Sequence, residues 1–67
     1  MQIFLNGTES SVADYLKLES LLQHQSLLEK KGIAVAVNNQ VVPKEIWGEY
    51  TLQNADKILV IKASQGG

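Results

Sequence analysis

A chain of 67 residues that contains no cysteine has to hold its fold through packing alone. Domains of this size bury only about 60% of the surface that the unfolded chain exposes, and many of them rely on disulfides or a structural metal. Without cysteine, both a disulfide and a thiolate zinc site are excluded, and the single histidine, His24, argues against a transition-metal site. The sequence therefore predicts one small domain, residues 1–67, built around one apolar core.

The charge pattern limits the partners. Six basic residues are scattered among seven acidic ones, so the basic stripe typical of nucleic-acid binders is missing and no nucleic-acid partner is expected. No apolar run approaches the ~20 residues that a membrane helix needs, and the chain does not open with a signal-peptide pattern. The absence of cysteine fits a reducing compartment. We expect a cytoplasmic monomer with no membrane partner.

The first strand signal lies at the start of the chain. Residues 1–5 are largely apolar, and Asn6-Gly7 directly after them is the strongest short hairpin signal. Residues 8–12 then return as a second strand, whose polar side chains indicate a solvated sheet edge.

A second hairpin is predicted near the middle of the chain. Residues 33–37 are short and β-branched, which favours a strand. Asn38-Asn39 tolerates positive φ and suits a type I′ turn into a strand over residues 40–42. Pro43 ends that strand and starts a single helical turn over residues 44–47.

One helix is predicted between the hairpins. Leu18, Leu21, Leu22 and Leu28 form an apolar stripe at helical spacing, which predicts a helix from Leu18 to Leu28. Gly32 is a natural residue to follow its C-terminus. The start of the helix stays open between residues 14 and 20, because Asp14 is a possible cap upstream of the stripe.

These elements predict an α+β fold in which one helix covers one face of a mixed four- to five-stranded sheet. The last strand is expected over residues 57–63, beside the first strand at the sheet centre. Alternation then puts Phe4, Leu59 and Ile61 on the face away from the helix. Exposed apolar patches usually mark interfaces, so we expect these three residues to dock a partner, unless the loop that holds Trp47 covers them.

The chain ends in Gly66-Gly67 after the apolar last strand. Two terminal glycines arise by chance in roughly 0.5% of chains at average glycine usage. Glycine adds no packing and loses the most entropy when ordered, so this ending suits a bare, narrow and mobile terminus. Residues 63–67 are therefore predicted to form a flexible tail.

The order of elements, with a hairpin first and a diglycine last, resembles the ubiquitin-like β-grasp pattern. In length and detail the chain resembles the ThiS family of bacterial sulfur carriers of thiamine biosynthesis. The segments that carry this resemblance are Met1-Gln2-Ile3, the block from Val37 to Trp47, Asn54 to Leu59, and Gly66-Gly67. One turn departs from the family, because Asn54-Ala55-Asp56 stands where Asp-Gly-Asp is usual, and a positive φ at Ala55 would cost about 1 kcal/mol.

The resemblance implies a carrier rather than an enzyme. A ThiF-type adenylyltransferase would activate the Gly67 carboxylate with ATP and magnesium, and a cysteine desulfurase relay would supply the sulfur. Gly67 would become a 1-thioglycine thiocarboxylate, whose sulfur a ThiG-type thiazole synthase would take. Ser64, Gln65 and Gly66 would thread into the partner's site, and this chain would bind no cofactor of its own.

Three alternatives stay open. A molybdopterin-synthase-type sulfur carrier shares the fold and the diglycine but is typically longer. A ubiquitin-like protein modifier would join the same carboxylate to lysine. A plain β-grasp interaction module would make no use of its tail.

Two further side chains have simpler interpretations. His24 lies among glutamines with no catalytic constellation around it, so a surface or half-buried histidine is expected. Trp47 and Tyr50 follow Pro43, and core packing under a loop is the default for both.

Overall fold

The computed structural model describes residues 1–28 and 31–62. The elements follow the predicted order: β1 (Gln2–Leu5), β2 (Thr8–Ser11), α1 (Leu18–His24), β3 (Ile33–Val37), β4 (Gln40–Val41), a 3-10 turn (Lys44–Ile46) and β5 (Lys57–Lys62). The predicted tail, residues 63–67, lies outside the described residues.

The strands form one five-stranded mixed sheet in the order β2-β1-β5-β3-β4. β1 and β5 run parallel, and the remaining pairs are antiparallel. The first and last strands are therefore neighbours in the interior of the sheet, and the polar β2 lies at an edge, as the sequence predicts. The predicted α+β architecture is confirmed.

The sheet is staggered along β5. Leu5, the last residue of β1, lies opposite Ile58, while β3 accompanies β5 from Ile58 to Lys62. β1 thus flanks the first part of β5 and β3 flanks its whole second part. This offset gives the end of β5 a neighbour in β3 and none in β1.

The core lies between α1 and one face of the sheet. It unites the inward side chains of β1, β3 and β5 with the leucines of the helix and with three residues from the connections: Ile3, Leu18, Leu21, Leu22, Val35, Val37, Val42, Trp47, Leu52 and Ile58. Packing of the helix stripe against these strands is the main source of stability that a chain without cross-links has.

The start of α1 depends on the backbone of the segment that follows the 3-10 turn. No side chain caps the helix, and Asp14 instead pairs with the amino group of Met1 at 3.0 Å. The first two helical amides donate to backbone carbonyls, Leu18 to Tyr50 at 2.8 Å and Glu19 to Trp47 at 3.1 Å. These carbonyls satisfy donors that a side-chain cap usually satisfies.

The helix ends four residues before the predicted end at Leu28. Ser26 adopts a positive φ of 58°, its amide donates to the Gln23 carbonyl, and the Leu27 amide donates to the Leu22 carbonyl. This pair of bonds is a Schellman motif, which closes a helix at a residue in the left-handed region. The prediction that Gly32 follows the helix is wrong, because Ser26 already occupies that role.

Candidate functional site

β5 is the element that leads to the predicted reactive end of the chain. The strand is described to Lys62, so the predicted site residues Ser64, Gln65, Gly66 and Gly67 lie outside the described residues. The structure describes β5, the strand that precedes these residues in the chain, and the sheet face opposite the helix, called here the open face.

The open face carries the three residues that strand alternation predicts. Along β5, Ile58 is buried against the helix, while Leu59 and Ile61 are 49% and 48% exposed. Phe4 in β1 is half-buried, and its neighbour Ile3 is buried in the core. The exposure pattern agrees with the predicted alternation; the role of these residues in docking stays a prediction.

The apolar surface extends further across the sheet than the sequence indicates. Ala34 lies opposite Ile61, and Ala36 lies opposite both Leu59 and Val41. Val41, in the edge strand β4, is 71% exposed. We call these six residues the open-face patch, within which Ala36 is itself buried beside its larger neighbours: Phe4, Ala34, Ala36, Val41, Leu59 and Ile61. Ala34, Ala36 and Val41 are not among the patch residues predicted from the sequence, although inward-facing Val35 and Val37 place both alanines on the outward face.

Small side chains next to large ones shape this patch. Leu59 and Ile61 lie opposite the short side chains of Ala36 and Ala34, and the two large side chains remain 49% and 48% exposed, respectively. A large apolar side chain that stands free of its surroundings offers contact area to a partner with a complementary groove. The patch therefore offers exposed apolar area on the open face.

A groove lies at the end of the patch near β1. It has a volume of about 380 Å³ and runs between two turns, with Asn6 and Gly7 on one side and Asn39 on the other. Phe4, Lys57 and Leu59 line it.

Lys57 is the cation beside the apolar patch, and Glu9 lies opposite Phe4 on the far side of β1. The rim of the open face thus carries one charge of each sign.

The start of β5 is tied to the neighbouring turn by side chains. Asn38 Nδ2 donates to Asp56 Oδ1 at 3.0 Å, and the Lys57 amide donates to Asn38 Oδ1 at 3.0 Å. The second carboxylate oxygen of the buried Asp56 accepts from the Gln53 amide at 2.8 Å. These bonds hold the base of the strand that bears the patch.

Trp47 belongs to the core and does not cover the patch. It is 2% exposed, its ring nitrogen donates to the Val42 carbonyl at 2.8 Å, and it packs in the cluster that contains Leu18 and Leu22. The expected core packing is confirmed, and the alternative in which its loop shields Leu59 and Ile61 is wrong.

The described residues contain no cluster of potential metal ligands. His24 is exposed at the end of α1, and over residues 1–28 and 31–62 no three His, Asp or Glu side chains converge as metal ligands. In the same part of the chain, no helix is long and apolar enough to cross a membrane. The candidate functional surface of the described residues is the open-face patch, which includes two residues of β5, the strand that precedes residues 63–67.

Comparison with known proteins gives one consistent result. The sequence profile of the ThiS family matches residues 2–67. The sulfur carrier protein ThiS of Escherichia coli (strain K12) is 34% identical over 67 residues, which covers the whole of both chains.

Solved structures agree with the sequence comparison. A crystal structure of the thiamine biosynthesis protein ThiS from Geobacter metallireducens superposes with a TM-score of 0.86 at 25% identity, over the full length of both chains. An NMR structure of a thiamine biosynthesis protein from the same organism gives a TM-score of 0.78 at 25% identity, covering all of this chain and 88% of the other.

Proposed function

Because this chain belongs to the ThiS family, we propose that it is the sulfur carrier of thiazole formation in thiamine biosynthesis and that Gly67 carries the sulfur. The family match runs to residue 67, and the relative from Escherichia coli is matched to its own last residue. Both matches include Gly66-Gly67, which supports Gly67 as the proposed sulfur-carrying residue. In this function the chain is a co-substrate of other enzymes.

The proposed chemistry uses only the carboxyl group of Gly67. An α-carboxyl group is an anion at pH 7 and attacks the α-phosphorus of ATP, with pyrophosphate leaving. The acyl-adenylate that results is an electrophile, and a persulfide sulfur from a desulfurase relay displaces AMP. Cleavage of the acyl disulfide by a thiol leaves a thiocarboxylate, which donates its sulfur to the thiazole synthase. ATP, magnesium and the catalytic groups belong to the partner enzymes.

The residue types of the tail suit this chemistry. Gly66 and Gly67 have no Cβ, so they fit a narrow channel and adopt backbone angles closed to other residues. Five extended residues at ~3.3 Å each span about 16 Å, far enough for residues 63–67 to enter a buried site while the domain stays outside. The absence of cysteine in the chain means that its only sulfur-accepting group is the activated carboxyl.

The observation that supports a docking role is the position of the open-face patch. Leu59 and Ile61 project from the strand whose next residues are the tail, so an enzyme that seats the patch also receives the tail. We propose that the adenylyltransferase and the thiazole synthase both dock on this patch. Apolar contact beside the tail converts the entry of Gly67 into an intramolecular step with a high effective concentration.

Introduction of negative charge on the patch tests the docking proposal. The double variant Phe4→Asp, Ile61→Asp is expected to raise the KM for adenylation by at least tenfold, about 1.4 kcal/mol of lost binding. The control Ser11→Asp, Gln40→Asp adds the same charge at exposed strand positions outside the patch and should leave KM within about twofold. Unchanged adenylation kinetics with a folded patch variant would refute docking through this surface.

Deletion of Gly67 tests the carrier function separately. A variant that ends at Gly66 keeps the fold and the patch, so binding to the adenylyltransferase should survive while thiazole formation is lost. A plain interaction module would keep its function after this deletion. A protein modifier would instead appear as covalent adducts on lysine side chains.

A further inference from the structure

Within the part of the chain that the structure describes, the second half of β5 has no strand partner on the side of β1, which leaves a free backbone edge there. The pairing of β1 with β5 ends where Leu5 lies opposite Ile58, yet β5 continues to Lys62. The chain turns away at Asn6-Gly7, so β1 does not follow β5 any further. The edge lies on the side of β5 opposite β3, directly before the tail.

The hydrogen bonds show which groups this edge presents. The Ile58 carbonyl accepts from the Asn6 amide at 2.8 Å, and the Val60 amide donates to the side chain of Asn6, also at 2.8 Å. Alternation along a strand turns the Val60 carbonyl and the Lys62 amide toward the same side. Among the described residues, none from β1 or its turn bonds to either group.

Asn6 marks the boundary of this edge. Its side-chain oxygen accepts the hydrogen bond from the Val60 amide that a backbone carbonyl of a longer β1 would accept. The hydrogen bonds between β1 and β5 therefore end at this amide. Beyond it the Val60 carbonyl and the Lys62 amide are free to pair with an added strand, as exposed strand edges do in peptide recognition. A carbonyl followed by an amide two residues later is the pattern that an extended backbone complements.

We propose that the free edge of Val60 and Lys62 pairs with an extended backbone segment of the enzyme that receives the tail, so that the carrier sheet continues into its partner. This inference rests on the proposed function. It adds a directional contact, made by main-chain atoms, to the side-chain docking by the open-face patch.

Position and side chains favour an enzyme strand over a second copy of this chain. The edge is continuous with the open-face patch, because Ile61 lies between the two edge groups and projects onto the open face. It also lies directly before residues 63–67 in the chain, so an enzyme that receives the proposed tail is close to this edge. Self-pairing of two copies would bring Lys62 of each chain close together over a segment too short to form a stable dimer.

The substitution Lys62→Pro removes the backbone N–H donor at this position. Proline is tolerated at the edge of a sheet, so the fold should persist. Affinity for the purified ThiF-type adenylyltransferase should fall by at least about tenfold, measured by calorimetry. Lys62→Ala keeps the amide and should bind within about twofold of the unchanged chain. Ser11→Pro is the control for proline at an edge, because Ser11 lies in β2 at the far side of the sheet.

Hydrogen exchange on the unchanged chain gives a second readout that does not depend on any variant's folding. In the complex with the adenylyltransferase, the Lys62 amide should exchange at least about tenfold more slowly than in the free carrier. The Ser11 amide should exchange at the same rate in both. Equal binding of Lys62→Pro and Lys62→Ala, or an unprotected Lys62 amide in the complex, would overturn edge pairing. A sulfur-loaded Gly67 in that case would leave the proposed function standing.

Discussion

Asn38 Nδ2 lies 3.0 Å from Asp56 Oδ1, and this bond joins the β3–β4 turn to the turn that starts β5. Asn38 also accepts from the Lys57 amide, so one exposed side chain fixes the base of the strand that leads to the tail. The residue has a φ of 52°, which asparagine tolerates better than most residues. Asn38 therefore meets a backbone requirement and a hydrogen-bonding requirement at the same position.

Substitution by glycine separates these two requirements. Asn38→Gly keeps the positive φ and removes both side-chain bonds, so the free energy of unfolding should fall by about 1–2 kcal/mol. Asn39→Gly is the matched control, since Asn39 has a φ of 69° and no side-chain hydrogen bond within the described residues. Urea titration of both variants measures the difference; equal stability of the two would contradict the role given to the Asn38 side chain.

Ala55 should be replaceable by glycine with a gain in stability. It has a φ of 72°, a conformation that places Cβ too close to the next carbonyl oxygen and costs about 1–2 kcal/mol for a non-glycine residue. Ala55→Gly is expected to raise the free energy of unfolding by about 1 kcal/mol. Ala13→Gly, at an exposed position without positive φ, should not raise it. If the Ala55→Gly variant melts at a lower temperature than the original chain, the positive φ of Ala55 does not strain the backbone.

Ser26 offers a similar test at the end of the helix. It holds the left-handed position of the Schellman motif, where glycine is the preferred residue. Ser26→Gly should stabilise the fold by about 1 kcal/mol. Ser20→Gly, inside the helix, should destabilise it by a similar amount. If both substitutions lower the melting temperature, Ser26 does not close the helix in the way described.

The stability of the fold should depend on the ring nitrogen of the buried Trp47. Trp47→Phe removes the donor to the Val42 carbonyl and leaves that buried acceptor without its partner. The expected loss is about 1–3 kcal/mol, on top of the smaller ring. Tyr15→Phe, at a side chain that is largely exposed, should be neutral. A Trp47→Phe variant as stable as the original chain in urea titration would contradict this assignment.

The sheet was predictable because its signals are local. Asn6-Gly7 and Asn38-Asn39 mark turns through their own backbone preferences, and both pairs adopt positive φ in the structure. The outward positions of Leu59 and Ile61 follow from alternation once Ile58 faces the core. Each of these inferences needs only neighbours in sequence.

The parts that the sequence did not predict depend on distant contacts. The helix starts at Leu18, as the apolar stripe predicts, but no local pattern shows that the carbonyls of Tyr50 and Trp47 meet its first amides. Its early end relies on Ser26 adopting a conformation that serine seldom takes, which propensity alone disfavours. The width of the open-face patch depends on the register that sets Ala36 between Leu59 and Val41.

The intact mass of the carrier tests the central claim most directly. After incubation with the adenylyltransferase, ATP and a sulfur source, exchange of one oxygen for sulfur at Gly67 should raise the mass by about 16 Da. The variant that ends at Gly66 should show no such gain. A chain whose mass stays unchanged, under conditions that load the ThiS of Escherichia coli, would contradict the assignment of this protein as a sulfur carrier.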